Sequence, residues 1–291
     1  VALWTLRRDS VGKTAPSGEG DVPRHAMTPE AHAAFTAALL KRLDPDADVL
    51  GLVLLGSSSG EPPGPDEFSD HDLFVVTRPG AQERFRTDLG WLPNAADLVL
   101  SFRETAHGVR ALDRNGHLVE LAAFDLDELS LARVNRYSVP LDRADVRARM
   151  ARVRQATAAQ TATPPDARWL AGQFLVELLV GAGRWGRGER ISGHFRVRAG
   201  AVQHLLSLIR MRASDAARAT LDDLDPARRV ETVAPERARE IDAALVLPLP
   251  ECARALLAVG RQVAPDLVPP EVPAALEQVL ARAEEAARRA R

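Results

Sequence analysis

Residues 50–76 read LGLVLLGSSSGEPPGPDEFSDHDLFVV, and the fold turns on this stretch. An apolar run over 49–55 ends at Gly56-Ser57. A polar loop rich in Gly and Pro follows, and Asp70-His71-Asp72 opens a second apolar run over 73–76. Both runs are short, rich in Val and Leu and bounded by turn formers, which is the pattern of two buried strands joined by a loop. Side chains alternate along a strand, so Asp70 and Asp72 share one face and His71 takes the other. Two carboxylates at the mouth of a buried strand repel each other and lose hydration. A divalent cation relieves both penalties, and hard oxygen ligands of this kind suit Mg²⁺. Gly56 lets the backbone come close to a phosphate, to which the Ser57 hydroxyl and nearby amides can donate.

Gly56-Ser57, twelve intervening residues and Asp70-x-Asp72, flanked by apolar strands, resemble the signature of the nucleotidyltransferase superfamily, the polymerase-beta-like fold. The resemblance covers 49–124. It implies an α+β architecture, with a mixed β-sheet flanked by helices in a nucleotidyltransferase domain over 27–130. It also implies Mg²⁺, as two ions, and a third carboxylate on a strand beside the Asp-x-Asp strand. Glu120 is the residue that matches, alone in the apolar run LVELAAF over 118–124. A charged group in a buried strand is costly unless paired or metal-bound. The residues themselves also allow Glu120 to sit on an edge strand, facing water or an arginine. His71 faces away from the aspartates, which points to packing or hydrogen bonding.

The composition is that of an ordinary globular chain of 291 residues, long enough for two domains. A formal net charge of −2 creates no field that would gather nucleic acid or an anionic membrane. Lysine is confined to Lys13 and Lys41, while Arg and Ala abound, as a coding bias would give. The single cysteine, Cys252, excludes an intramolecular disulfide and a cysteine-based zinc site and suits a reducing cytoplasm. No apolar stretch is long enough to span a bilayer, and residues 1–6 are too short for a signal-peptide core.

Residues 1–26 have the polar, Gly- and Pro-containing pattern of a disordered leader or of an appended segment foreign to the natural chain, with Met27 as the start of the folded part. Thr28 as N-cap and Pro29 behind it predict a helix over 29–43, packing through Ala31, Phe35, Ala38 and Leu39. A short helix over 81–89 and a strand over 98–102 follow. Runs over 109–113 and 117–124 flank Arg114-Asn115-Gly116, a hairpin turn signal.

From about residue 130 the pattern changes to helices, predicting an all-α helical-bundle domain over 131–291. The arginine-rich helix over 142–158 reads as solvated and lying between domains. Thr163-Pro164-Pro165 breaks it, and Asp166 caps an apolar helix over 168–181. Glu177, in the middle of that helix, is either paired with an arginine or a cleft carboxylate that binds an acceptor or serves as a base. Gly186-Arg187-Gly188 makes a turn, 222–226 an acidic loop, and helices cover 199–211, 235–245, 250–263 and 272–291. The last reads as an exposed surface helix.

A nucleotidyltransferase domain followed by helices resembles the antibiotic nucleotidyltransferases that act on aminoglycosides and lincosamides. The resemblance implies transfer of a nucleoside monophosphate, with ATP as donor, to a hydroxyl of a small-molecule acceptor. Asp70, Asp72 and Glu120 would be the catalytic and metal-binding residues, Gly56 and Ser57 the nucleotide-binding ones, and Glu177 an acceptor-binding group or base. Two alternatives stand beside it. Arg198 and His204 have the Arg-x5-His spacing of HEPN ribonuclease toxins, which would make RNA the target. A catalytically silent nucleotide-binding relative is the other.

Overall fold

The computed structural model describes residues 27–62, 64–161, 166–222, 224–225 and 227–289. The expected leader over 1–26 and the break at Thr163-Pro164-Pro165 lie outside the described residues. The first helix, α1 (Pro29–Leu43), begins as the capping residues dictate: Thr28 Oγ accepts from the Ala31 N–H at 3.2 Å. Its packing face is rotated from the expected one. His32, Leu39 and Leu43 are buried and Phe35 packs beside them, whereas Ala31 is exposed.

Strand β1 (Val49–Leu55) leads through a single 3₁₀ turn, Gly56–Ser59, into the long loop and then β2 (His71–Thr77). A short helix α2 (Gln82–Thr87) precedes β3 (Leu98–Arg103), β4 (Gly108–Asp113) and β5 (Leu118–Phe124). Gly116, at φ +86°, supplies the left-handed residue of the β4–β5 hairpin. A sixth strand, β6 (Tyr137–Asp142), completes one sheet of order β3-β4-β5-β2-β1-β6. Only β2 and β5 run parallel, so the sheet is mixed.

Strand β6 corrects the expectation of helices from residue 130 onward. Pro140 disguises it, because proline sits in a sheet only where its missing N–H faces no partner, and β6 is an edge strand against β1. The arginine-rich helix is corrected too. Helix α3 (Val146–Thr161) is no solvated spacer: Val146, Met150 and Val153, at helical spacing, pack on the sheet with Val53, Val76 and Phe124. Gly51 allows the approach, since a Cβ there would lie 2.8 Å from Val146 Cγ2. The other sheet face meets α1 and α2 through Leu52, Leu73, Val75, Phe85 and Leu121. The Leu52 side chain is fully buried in that layer, so Leu52→Ala should lower the unfolding free energy by about 2–5 kcal/mol in urea titration.

The remaining chain is helical: α4 (Ala167–Gly186), α5 (Arg190–Phe195), α6 (Val202–Arg212), α7 (Asp215–Arg218), α8 (Val230–Val233), α9 (Pro235–Leu245), α10 (Leu249–Val263) and α11 (Val272–Arg289). Asp166 caps α4 by accepting from the Arg168 N–H at 2.9 Å. Phe174, Leu178 and Ala182 of α4 form the axis of a bundle core with Leu205, Leu256 and Leu280. Between α5 and α6 the chain widens into a π-helical turn, Arg196–Ala201, where the sequence suggests a plain helix from 199. Helix α11 is not simply exposed. Leu276, Leu280, Ala283 and Ala287 make a buried stripe, and a Cβ on Gly186 of α4 would meet Ala283 Cβ at 2.6 Å. Among the described residues no helix is long and apolar enough to cross a membrane.

Candidate active site

At the end of β1 the chain turns at Gly56, whose φ of +54° favours glycine. A Cβ built there would lie 3.2 Å from Asp72 Oδ2, so the absence of a side chain is what lets the turn close onto the aspartate. The Gly56 N–H donates to Arg136 O at 3.3 Å and Ser59 Oγ donates to Gly56 O at 2.7 Å, which fixes the turn. Gly56→Ala should cost about 1–3 kcal/mol of stability in urea titration, because it combines a strained backbone with crowding of Asp72.

Alternation along β2 sends His71, Leu73 and Val75 toward α1 and leaves Asp72 on the face shared with Phe74 and Val76. Helix α3 covers that face at Val76 and Phe124, while the Asp72 end borders a cavity instead. The parallel register pairs Asp72 with Glu120, and the antiparallel register of β4 pairs Glu120 with Arg110. One row across the sheet therefore runs Asp72, Glu120, Arg110. Arg110 Nη2 lies 3.2 Å from Glu120 Oε1 and Arg110 Nε donates to Glu104 Oε2 at 2.9 Å. Glu120 is thus on an interior strand, not an edge, and yet it has the arginine partner that the edge reading supposed.

The electrostatics show a surplus of negative charge. Burial, then the charges of Asp70 and Glu120, push the Asp72 carboxyl up to about 7, against the opposing pull of Arg228 and Arg110. Glu120 is raised by burial and by Asp70 and Glu104, with Arg110 opposing. These are hard oxygen donors short of positive charge, which is the condition a divalent cation would satisfy. Among the described residues, no three His, Cys, Asp or Glu side chains already stand in ligating geometry. Asp72 and Glu120 stand opposite each other in the register, whereas Asp70, just before β2, lines a separate hollow with Glu67, Asn115 and His117; all three have the hard-oxygen chemistry that such an ion takes.

A cavity of about 240 Å³ opens beside Asp72 and Gly56, and residues of the later chain close it: Asn135, Arg136, Asp222 and Arg228. Buried Asp222 ties the two parts together, accepting from Asn135 Nδ2 at 2.8 Å and from Arg228 Nη1 at 3.3 Å. Arg136 is held below its ordinary pKa by burial and by the neighbouring Arg229 charge. The sequence reading missed these arginines. Their proximity to Asp72 depends on how the later chain returns to the sheet, which no local pattern states.

The remaining candidates lie elsewhere. Ser57 lines a separate hollow on the α1 side with Pro29, His32, Ala33 and Ser58. Glu177 accepts from Arg196 Nη1 at 2.8 Å within the helical part and does not line the Asp72 cavity, so it follows the arginine-paired reading. Its Oε2 is buried against Gly200 and has no hydrogen-bond partner among the described residues. Arg198 donates to Leu247 O at 2.5 Å and His204 meets the Trp169 ring edge-on at 5.6 Å, so each is engaged with a packing neighbour. His71 is buried against α1 as expected, with its Nδ1 2.7 Å from His117 Nε2. Burial, then the His32 and His117 charges, push it down to about 3.

Neither the protein-family models nor the curated proteins compared with the chain give a match. Among solved structures, the chain is similar to the crystal structure of an aminoglycoside 6-adenyltransferase from Bacillus subtilis. Identity is 12%, the match covers 87% of this chain and 98% of that one, and the TM-score is 0.34. A likeness of that size carries no functional argument.

Proposed function

We propose that this protein is a nucleotidyltransferase that moves a nucleoside monophosphate from a nucleoside triphosphate, with ATP the first donor to test, to a hydroxyl of a small-molecule acceptor. The observation that carries the reading is the meeting of Asp72, Glu120 and the Asp70 charge beside a glycine turn and an arginine-lined cavity. Asp70, Asp72 and Glu120 would hold Mg²⁺, as two ions, and the metal when bound supplies charge neutralisation for attacking and leaving oxygens.

The chain's own residues divide the remaining work. Gly56 admits the triphosphate close to the backbone, and Ser57, whose residue lines the hollow on the α1 side, would contribute through its backbone amide. Arg136 and Arg228 offset phosphate charge in the cavity. Glu120, on the strand beside Asp72, would take the proton of the acceptor hydroxyl. The hydroxyl oxygen bonds to the α-phosphorus as the α–β anhydride bond breaks, and pyrophosphate leaves. Most of the acceleration is then positioning and preorganised charge. The catalytic residues lie within 27–130, and the portion over 131–291 supplies the facing wall through Asn135, Asp222 and Arg228. The lone Cys252 suits a reducing cytoplasm as the working compartment.

The test is incubation with Mg²⁺ and ATP against a panel of hydroxyl acceptors that begins with aminoglycosides. One acceptor should gain the mass of one nucleoside monophosphate, with one pyrophosphate released per product. A nucleotide that binds but yields only free monophosphate or inorganic phosphate, whatever the acceptor, would overturn the reading.

A further inference from the structure

Behind the carboxylate strand lies a buried group that the proposed reaction does not use. His32, His71 and His117 come from three separate segments and sit together in the layer between α1 and the sheet, all buried. The His32 ring stacks on His71 at 3.6 Å between centroids and 15° between planes. His71 is held in turn by His117 Nε2 at 2.7 Å, and by Thr36 Oγ and His32 O at 3.3 Å each from its Nε2. The orientation of the His32 ring is therefore fixed by its neighbours.

That orientation aims His32 Nε2 at two places that matter. It lies 3.2 Å from Asp70 O and 3.2 Å from Ser58 Oγ. A carbonyl oxygen can only accept, so Nε2 carries the hydrogen and donates to Asp70 O. Ser58 Oγ, facing the same N–H, accepts as well. One imidazole thus bridges the glycine turn, which contains Ser58, to the backbone of the first carboxylate. The direct covalent route between these points is the Gly- and Pro-rich loop, whose described residues over 60–69 form no helix or strand that would hold them in register.

We infer that His32 is a positioning residue: it fixes the turn over 56–59 against Asp70, and so sets the phosphate-binding backbone relative to the carboxylates. The functional half of this inference rests on the nucleotidyl-transfer reading. The structural half does not.

Two variants separate donation from packing. His32→Phe keeps a ring to stack on His71 and removes the donor, and His32→Gln keeps an N–H donor and loses the ring. Amide hydrogen exchange of the metal-free, nucleotide-free protein is the first readout. Exchange at 57–60 should rise about tenfold in His32→Phe, the value of one hydrogen bond, and stay near wild type in His32→Gln, with β4 and α10 unchanged in both. Binding of Mg²⁺-ATP is the second readout, and should weaken about tenfold in His32→Phe only. If His32→Phe does not fold, Ser58→Ala removes one end of the bridge and should raise exchange at the same amides. Wild-type exchange in His32→Phe, or an equal rise in both His32 variants, would overturn the inference. Failure of wild type itself to bind any of ATP, GTP, CTP and UTP with Mg²⁺ would overturn the functional reading, while the exchange arm would still decide the role of His32.

Discussion

Asp72→Asn should remove the proposed Mg²⁺-dependent nucleotidyl transfer, by about a thousandfold or more, and should raise the melting temperature in metal-free buffer at pH 8. Both effects follow from one property of the site. Asp72 is buried beside two other carboxylates, and its folded-state pKa is pushed up to about 7. The folded protein therefore holds a proton that the unfolded chain, with an ordinary aspartate, releases near pH 4. Stability contributed by this group falls as pH rises from about 4 to about 7, and above that range the folded state carries the full penalty of a buried charge. Asparagine carries no charge, so it relieves the penalty at pH 8 and has little effect below pH 4. The same substitution removes a carboxylate oxygen beside Gly56, which the proposed metal and triphosphate would need. An active Asp72→Asn enzyme, or one less stable than the parent at pH 8 without metal, would show that Asp72 has a structural role only.

Glu120→Gln should lower kcat by about a hundredfold or more, within the range for loss of a general base. Glutamine is uncharged and cannot take the proton. It keeps an oxygen for Arg110, so the row of contacts across β2, β5 and β4 survives and circular dichroism should be unchanged. A change below tenfold would leave Glu120 as no more than the partner of Arg110.

The elements that were legible in the sequence are those written by local chemistry. Strand β1, the glycine turn, the Asp-x-Asp strand, the Thr28 cap and the Asn115-Gly116 hairpin each depend on a few adjacent residues. Helix α9 spans 235–245 as its proline start predicts. What was hidden depends on pairing at a distance. No local pattern in 118–124 says that its strand runs parallel to β2, so the juxtaposition of Glu120 with Asp72 came from family resemblance and is seen directly only in the register. Strand β6 was masked by Pro140, and its edge position beside β1 is a long-range pairing that no local pattern states. The buried stripe of α11 was present at helical spacing, but the surrounding Glu and Arg outweighed it. His32 carried no signal at all, because a histidine in an exposed-looking first turn becomes a bridge only when β2 and the glycine turn arrive beneath it.

The central claim is that the carboxylates and the glycine turn form a metal-dependent nucleotide site. Its most direct test is thermal melting of the wild-type protein and Asp72→Asn with ATP, GTP, CTP and UTP, each with Mg²⁺ and each with chelator. A nucleotide at a hundredfold its dissociation constant should add about 2.7 kcal/mol to wild-type stability, visible as a rise of several degrees. That rise is expected for at least one nucleotide, only with Mg²⁺ and only with Asp72 intact. No rise with any nucleotide, or an equal rise with chelator or in Asp72→Asn, would contradict it.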